Sequence, residues 1–136
     1  MQGFNGNLEQ LTVENNFFRK VLYTAKNSQL VLMSLKAHED IGTEIHAEND
    51  QFFRFEAGEG KVIIDKNEYE VRDGSAIVVP AGSEHNVINT SDTEALKLYT
   101  IYSPAHHKEG TIHETKALAE AAEERGDEEF DGTTTE

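Results

Sequence analysis

The chain has 136 residues, room for one domain of ordinary size, and its 37% apolar content supports a modest core. It contains no cysteine, which excludes disulfides, zinc–thiolate sites and thiol nucleophiles. A formal net charge of −14 argues against nucleic acid and anionic membranes as partners, because phosphate surfaces attract basic proteins.

Short apolar stretches recur along the chain with turn signals between them. Residues 17–23 and 30–35 flank Ala25-Lys26-Asn27-Ser28 and read as a hairpin. Residues 51–55 lead into Ala57-Gly58-Glu59-Gly60, and residues 61–65 into a turn at Lys66-Asn67. Residues 68–71 precede Arg72-Asp73-Gly74, and residues 75–79 end at Pro80-Ala81-Gly82. Segments 85–89 and 95–102 close the series. Strands of about five residues with turns every eight to twelve predict an all-β sandwich or barrel rather than alternating βα units. Gly58-Glu59-Gly60 has no third glycine and no following helix, so it is not a dinucleotide fingerprint.

The pattern changes from Pro104 onward. Residues 115–125 are rich in Ala, Leu, Glu and Lys, and Gly126 stands as a stop, which predicts one C-terminal helix. Its apolar stripe is Leu118, Ala121 and Ala122, narrow enough to dock on a barrel exterior or on a partner subunit. The acidic, Thr-rich residues 127–136 are expected to be disordered. The expected division is therefore N-terminal strands over 1–29, the barrel core over 30–103, a loop and helix over 104–126, and a tail over 127–136. No basic segment leads into an apolar stretch near the start, and no apolar run reaches the roughly twenty residues of a membrane span. The expected location is the cytoplasm.

Four candidate metal ligands stand out. Residues two apart in a strand share a face, so Glu44 and His46 point the same way. Gln51 opens the next strand and shares its face with Phe53 and Phe55, while His85 follows the Pro80-Ala81-Gly82 turn. Two histidines and one carboxylate, here His46, His85 and Glu44, form the facial set of non-haem iron chemistry, and Gln51 adds a neutral oxygen. This donor set suits Fe, Mn, Ni, Co or Zn without choosing among them. With a divalent ion the set would keep a net positive charge, which favours an anionic or enolisable oxygen ligand.

The segment 74–89 matches the second motif of the cupin superfamily, G-x5-P-x-G-x2-H-x3-N, at Gly74, Pro80, Gly82, His85 and Asn89. The first cupin motif is matched in part, by His46 and Gly58. Glu44 stands where a histidine is usual and Gln51 where a glutamate is usual. His38 sits at the leading glycine's offset, with Gly42 nearer. Over roughly residues 30–102 the chain resembles a small single-domain cupin. The resemblance implies a double-stranded β-helix, or jelly-roll, barrel with one divalent metal ion held inside, and frequent homodimerisation. Gly74, Pro80 and Gly82 then shape the turn that delivers His85, and Asn89 serves as a hydrogen-bonding residue rather than a ligand.

Further residues are candidates for chemistry. His106, His107 and His113 lie in polar surroundings that read as solvent-exposed. Alternatively, this segment folds over the barrel mouth, and His107 is then the candidate proton shuttle. Tyr99 and Tyr102 alternate along the closing strand; a core role suits both, and Tyr99 is the candidate acid or hydrogen-bond donor. Lys61, Lys97 and Arg54 are anion contacts only if they face inward, and Arg54 has the outward parity. The leading expectation is an isomerase or tautomerase acting on a small polar molecule such as a sugar, sugar acid or keto-acid. An Fe(II)-dependent dioxygenase and a non-catalytic metabolite-binding module are the alternatives, since one scaffold hosts unrelated chemistries.

Overall fold

The structure is a computed structural model, and it describes residues 1–126 and 129–136. Among the described residues the chain runs α1 (Leu8–Glu14), β1 (Arg19–Thr24), β2 (Gln29–Leu35), β3 (Glu44–Ile45), β4 (Asp50–Ala57) and β5 (Glu59–Ile64). It continues through β6 (Asn67–Arg72), β7 (Ala76–Val79), β8 (Glu84–Asn89), β9 (Leu96–Ser103), β10 (Ile112–His113) and α2 (Lys116–Arg125). The strands form two antiparallel sheets, one in the order β10-β1-β2-β9-β4-β7 and the other in the order β3-β8-β5-β6. This is the expected all-β jelly roll with a C-terminal helix.

Alternation along each strand decides what lies between the sheets. In β4, Gln51, Phe53 and Phe55 point inward and are buried, while Phe52 and Arg54 occupy the opposite face. The register carries that parity across the sheet: Gln51 pairs with Tyr102, Phe53 with Thr100, and Phe55 with Leu98. From the second sheet, Val62 and Val87 meet this layer, pair with each other and are fully buried. Each buried Leu, Val or Phe contributes about 1.5–3 kcal/mol of transfer free energy, and this row joins Phe18, Val31, Met33, Leu35 and Leu96 in one core. Gly58, at the bend between β4 and β5, has φ +91, and a Cβ there would lie 2.4 Å from the Ala95 carbonyl oxygen. Only glycine fits that approach.

The N-terminal part is not made of strands alone. Helix α1 covers the outer face of the six-stranded sheet, packing on β9, β4 and β2. Asn7 caps it by accepting from the Gln10 backbone N–H at 3.1 Å. An Asn followed three residues later by Gln is a capping signal, but seven residues are too few to show helical periodicity. Helix α2 falls as expected, with Thr115 accepting from the Leu118 N–H and Gly126 in the left-handed conformation that ends it. Its buried face is Ala119 and Ala122, whereas Leu118 is 53% exposed. The expected stripe is therefore rotated, because only the small alanines allow close approach.

Of the expected disordered tail, residues 127 and 128 lie outside the described residues. The rest makes backbone contacts with the body of the chain. Glu129 bridges His107, the Phe130 N–H donates to the His106 carbonyl, and the Thr135 N–H donates to Thr24 at 2.9 Å. Backbone pairing along β1 and the histidine segment satisfies polar groups that the tail's composition alone left to solvent. Among the described residues, no helix is long and apolar enough to cross a membrane.

Candidate metal centre

Strand pairing brings the ligand candidates together. Glu44 lies directly opposite His85 in the β3–β8 ladder, and His46 follows Glu44 on the same face. The turn at Pro80-Ala81-Gly82 is anchored to the same place: the Gly82 N–H donates to the His46 carbonyl at 2.9 Å. The Ala81 N–H donates to the Asp50 carboxylate, also at 2.9 Å. One ligand atom each from Glu44, His46 and His85 all fall within 4.8 Å of one another. That is a spacing at which three donors can share one ion.

The polar bookkeeping fits a cation. His85 Nδ1 donates to the Ser83 carbonyl at 3.2 Å, which leaves Nε2 as the atom carrying the lone pair. That Nε2 is buried and has no hydrogen-bond partner among the described residues. Gln51, 2% exposed, donates from Nε2 to Thr100 at 3.0 Å, and its buried Oε1 likewise has no partner among the described residues. Buried polar atoms are nearly always satisfied, so two unpaired acceptors on the inner face of one barrel fit a role as donors to a cation. Residues Glu44, His46 and His85 could hold a divalent metal, and their mix of imidazole and carboxylate suits a first-row ion.

Electrostatics favours the ligating forms of Glu44 and His85. Burial pushes the Glu44 carboxyl up, but the hydrogen bond from His46 at 2.8 Å and the charges of His46, Arg19 and His85 outweigh it. The carboxyl ends below its ordinary value. Burial, with the neighbouring charge of His46, lowers His85 and favours the neutral imidazole.

Of the histidines after β9, His107 and His113 are buried and His106 is half-buried. His107 is 2% exposed and its Nε2 lies 3.2 Å from the Tyr102 hydroxyl, with burial and the Arg19 charge holding its pKa well down. His106 is the one nearest the ligands, its ring centroid 4.1 Å from that of His46 and stacked on Tyr102 at 5.2 Å. Burial, then the charge of His46, lowers the His106 pKa to about 4. His107 thus stands behind Tyr102, and His106 occupies the place expected for it. His113 sits farther along the inner face, with its Nδ1 3.4 Å from Arg19.

Tyr99 is not in the cavity. It pairs with Arg54 and Leu32 and contacts Phe52 on the outer face of the sheet. Tyr102 is the inward tyrosine, 5.7 Å from His46. The parity was legible, since Leu96 and Leu98 mark the inner face that Thr100 and Tyr102 continue. No local pattern marks His106, because its position depends on how a loop folds back. The basic candidates lie elsewhere: Arg54 pairs with Glu56, Lys61 with Glu68, and Lys97 with Asn15 and Asn16. Asn89 is structural, donating to the carbonyls of Leu35, Lys36 and Glu94.

Comparison with known proteins agrees with this geometry. A family model described as a cupin domain matches residues 31–102, more than half of the chain. The protein YrkC of Bacillus subtilis (strain 168) is 53% identical over 124 residues, covering 87% of this chain and 66% of that protein. The mimivirus protein L612 of Acanthamoeba polyphaga mimivirus is 48% identical over 109 residues, covering 78% of this chain and 68% of its own length. The chain thus spans about two thirds of these curated relatives. The crystal structure of BH2720 from Bacillus halodurans superposes with a TM-score of 0.86 at 46% identity, covering 89% of this chain and 96% of that one. With the jelly roll, the motif that delivers His85 and the family match in agreement, this chain belongs to the cupin family.

Proposed function

We propose that this cupin is a metal-dependent isomerase or tautomerase acting on a small, oxygen-rich acid or sugar in the cytoplasm. The observation that carries the reading is the placement of His106, whose imidazole stands against the ligand cluster at 4.1 Å from His46 while remaining only partly buried. Glu44, His46, His85 and Gln51 would hold the ion, which when bound supplies Lewis-acid polarisation of a substrate carbonyl. Glu44 provides the single carboxylate of the set, so the site favours a negatively charged or enolisable oxygen. His106 is placed to exchange a proton with a carbon next to that oxygen. Tyr102, stacked on His106, walls that side of the site.

The second reading, an Fe(II)-dependent dioxygenase, is favoured by the two-histidine, one-carboxylate composition of the 4.8 Å cluster. Incubation of the purified protein with 2-oxo acids, hydroxy acids and uronates in D2O, with and without oxygen, separates them. The proposal expects anaerobic deuterium incorporation or isomer formation that His106→Ala suppresses. Substrate loss coupled to oxygen uptake would replace it with the dioxygenase. Saturable binding with an unchanged ligand would make the protein a binding module.

A further inference from the structure

We infer that Thr100 is a positioning residue for the candidate metal centre: its hydroxyl accepts from Gln51 Nε2 and so holds the amide with Oε1 left free on the inner face of the barrel. This rests on the metal reading above and extends it to a residue outside the ligand set. The inner face places the two side chains within reach. Gln51 stands opposite Tyr102, and Thr100 is its diagonal neighbour, opposite Phe53. The flanking rings locate the amide, Tyr102 lying 5.7 Å from His46 and Phe53 lying 6.1 Å from His85.

A glutamine amide fits its envelope either way round, but the two orientations are chemically opposite. One presents an oxygen lone pair, which ligates a cation, and the other presents an NH2 group, which repels it. The Gln51 Nε2 is the end taken by the Thr100 hydroxyl, at 3.0 Å, and this leaves Oε1 buried without a partner among the described residues. An unpaired buried carbonyl is costly, so the arrangement makes sense where a cation receives the lone pair. Thr100 is itself fully buried among Phe53, Leu98 and other apolar side chains, where valine would pack equally well. The hydroxyl is the part of Thr100 that the apolar core does not call for.

The test is Co(II) binding to the purified full chain, read by calorimetry and by the visible absorption of the bound ion. The variants are Thr100→Val, which keeps the shape and deletes the hydroxyl, and Thr100→Ser, which keeps the hydroxyl. The expected result is a loss of about 10–100-fold in Co(II) affinity and an altered spectrum for Thr100→Val, with Thr100→Ser close to the parent. Parent-like affinity and spectrum in a folded Thr100→Val protein would overturn the role of Thr100 while leaving the metal centre standing. A parent protein that binds no Co(II) would overturn both. Should Thr100→Val fail to fold, Thr100→Ala removes the hydroxyl without adding bulk and is read against the same two outcomes.

Discussion

Glu44 lies directly across the β3–β8 ladder from His85, and its carboxylate accepts a hydrogen bond from His46 Nε2 at 2.8 Å. One backbone register thus assembles three donors from two distant segments. Replacing His85 or Glu44 by alanine should reduce tightly bound metal to a small fraction of one equivalent, with affinity lowered by at least about a hundredfold. Elemental analysis beside circular dichroism reads both metal and fold. Full metal content in a folded His85→Ala protein would remove this residue from the ligand set.

His106 should separate binding from turnover. It contacts His46 but lies outside the Glu44–His46–His85 cluster, so His106→Ala should retain metal and lose turnover by about 10²–10⁴-fold, the usual worth of a positioned acid or base. His107→Ala, whose ring lies behind Tyr102, should act mainly by lowering stability. A thermal melt and a rate measurement on both variants distinguish the two roles. An active His106→Ala protein would assign the proton transfer elsewhere.

Gln29 holds the histidine segment in place. It is buried, donates to the Thr24 hydroxyl at 2.9 Å and the His107 carbonyl at 2.7 Å, and accepts from the N–H groups of His106 and His107. Gln29→Ala strands these buried backbone groups and should cost about 2–4 kcal/mol, read as a lower denaturant midpoint at constant slope. A change within experimental error would show that the segment is held by other contacts.

Acidification should weaken the fold through the buried histidines His85, His106 and His107, all held below the ordinary imidazole value, with His107 chief among them. Burial first, and then the Arg19 charge, depresses its folded pKa well below the unfolded value of 6.5. The neutral form is therefore the native one, and the unfolded chain binds the extra proton. The stabilisation is complete above pH 6.5 and is lost as pH falls below it, at about 1.4 kcal/mol per pH unit for one such group. Melting temperatures between pH 7.5 and 5.5 should fall, and His107→Gln should flatten the decline. An equal slope in the variant would place the proton uptake on another residue.

Alternation and turn chemistry are local, and they made much of this protein legible. Inward Phe53 and Phe55, the Gly126 stop and the Pro80-Ala81-Gly82 turn before His85 could all be read from neighbours within a few residues. The same period of two, set by the apolar positions 96 and 98, turns Tyr99 outward. Helix α1 leaves little trace in the sequence because a seven-residue helix owes its stability to the sheet it covers rather than to its own pattern.

What the chain order could not supply was convergence. The approach of Glu44, His46 and His85 to within 4.8 Å depends on which strands pair, and that is decided by burial summed over both sheets. The exchange of His107 for His106 beside the ligands depends on Gln29 and the returning tail, contacts made between segments far apart in the chain. Residue types and their spacing therefore determined which donors were available. Only the packed barrel decided which of them meet, because non-local contacts form through the closed fold and leave no trace in any local window.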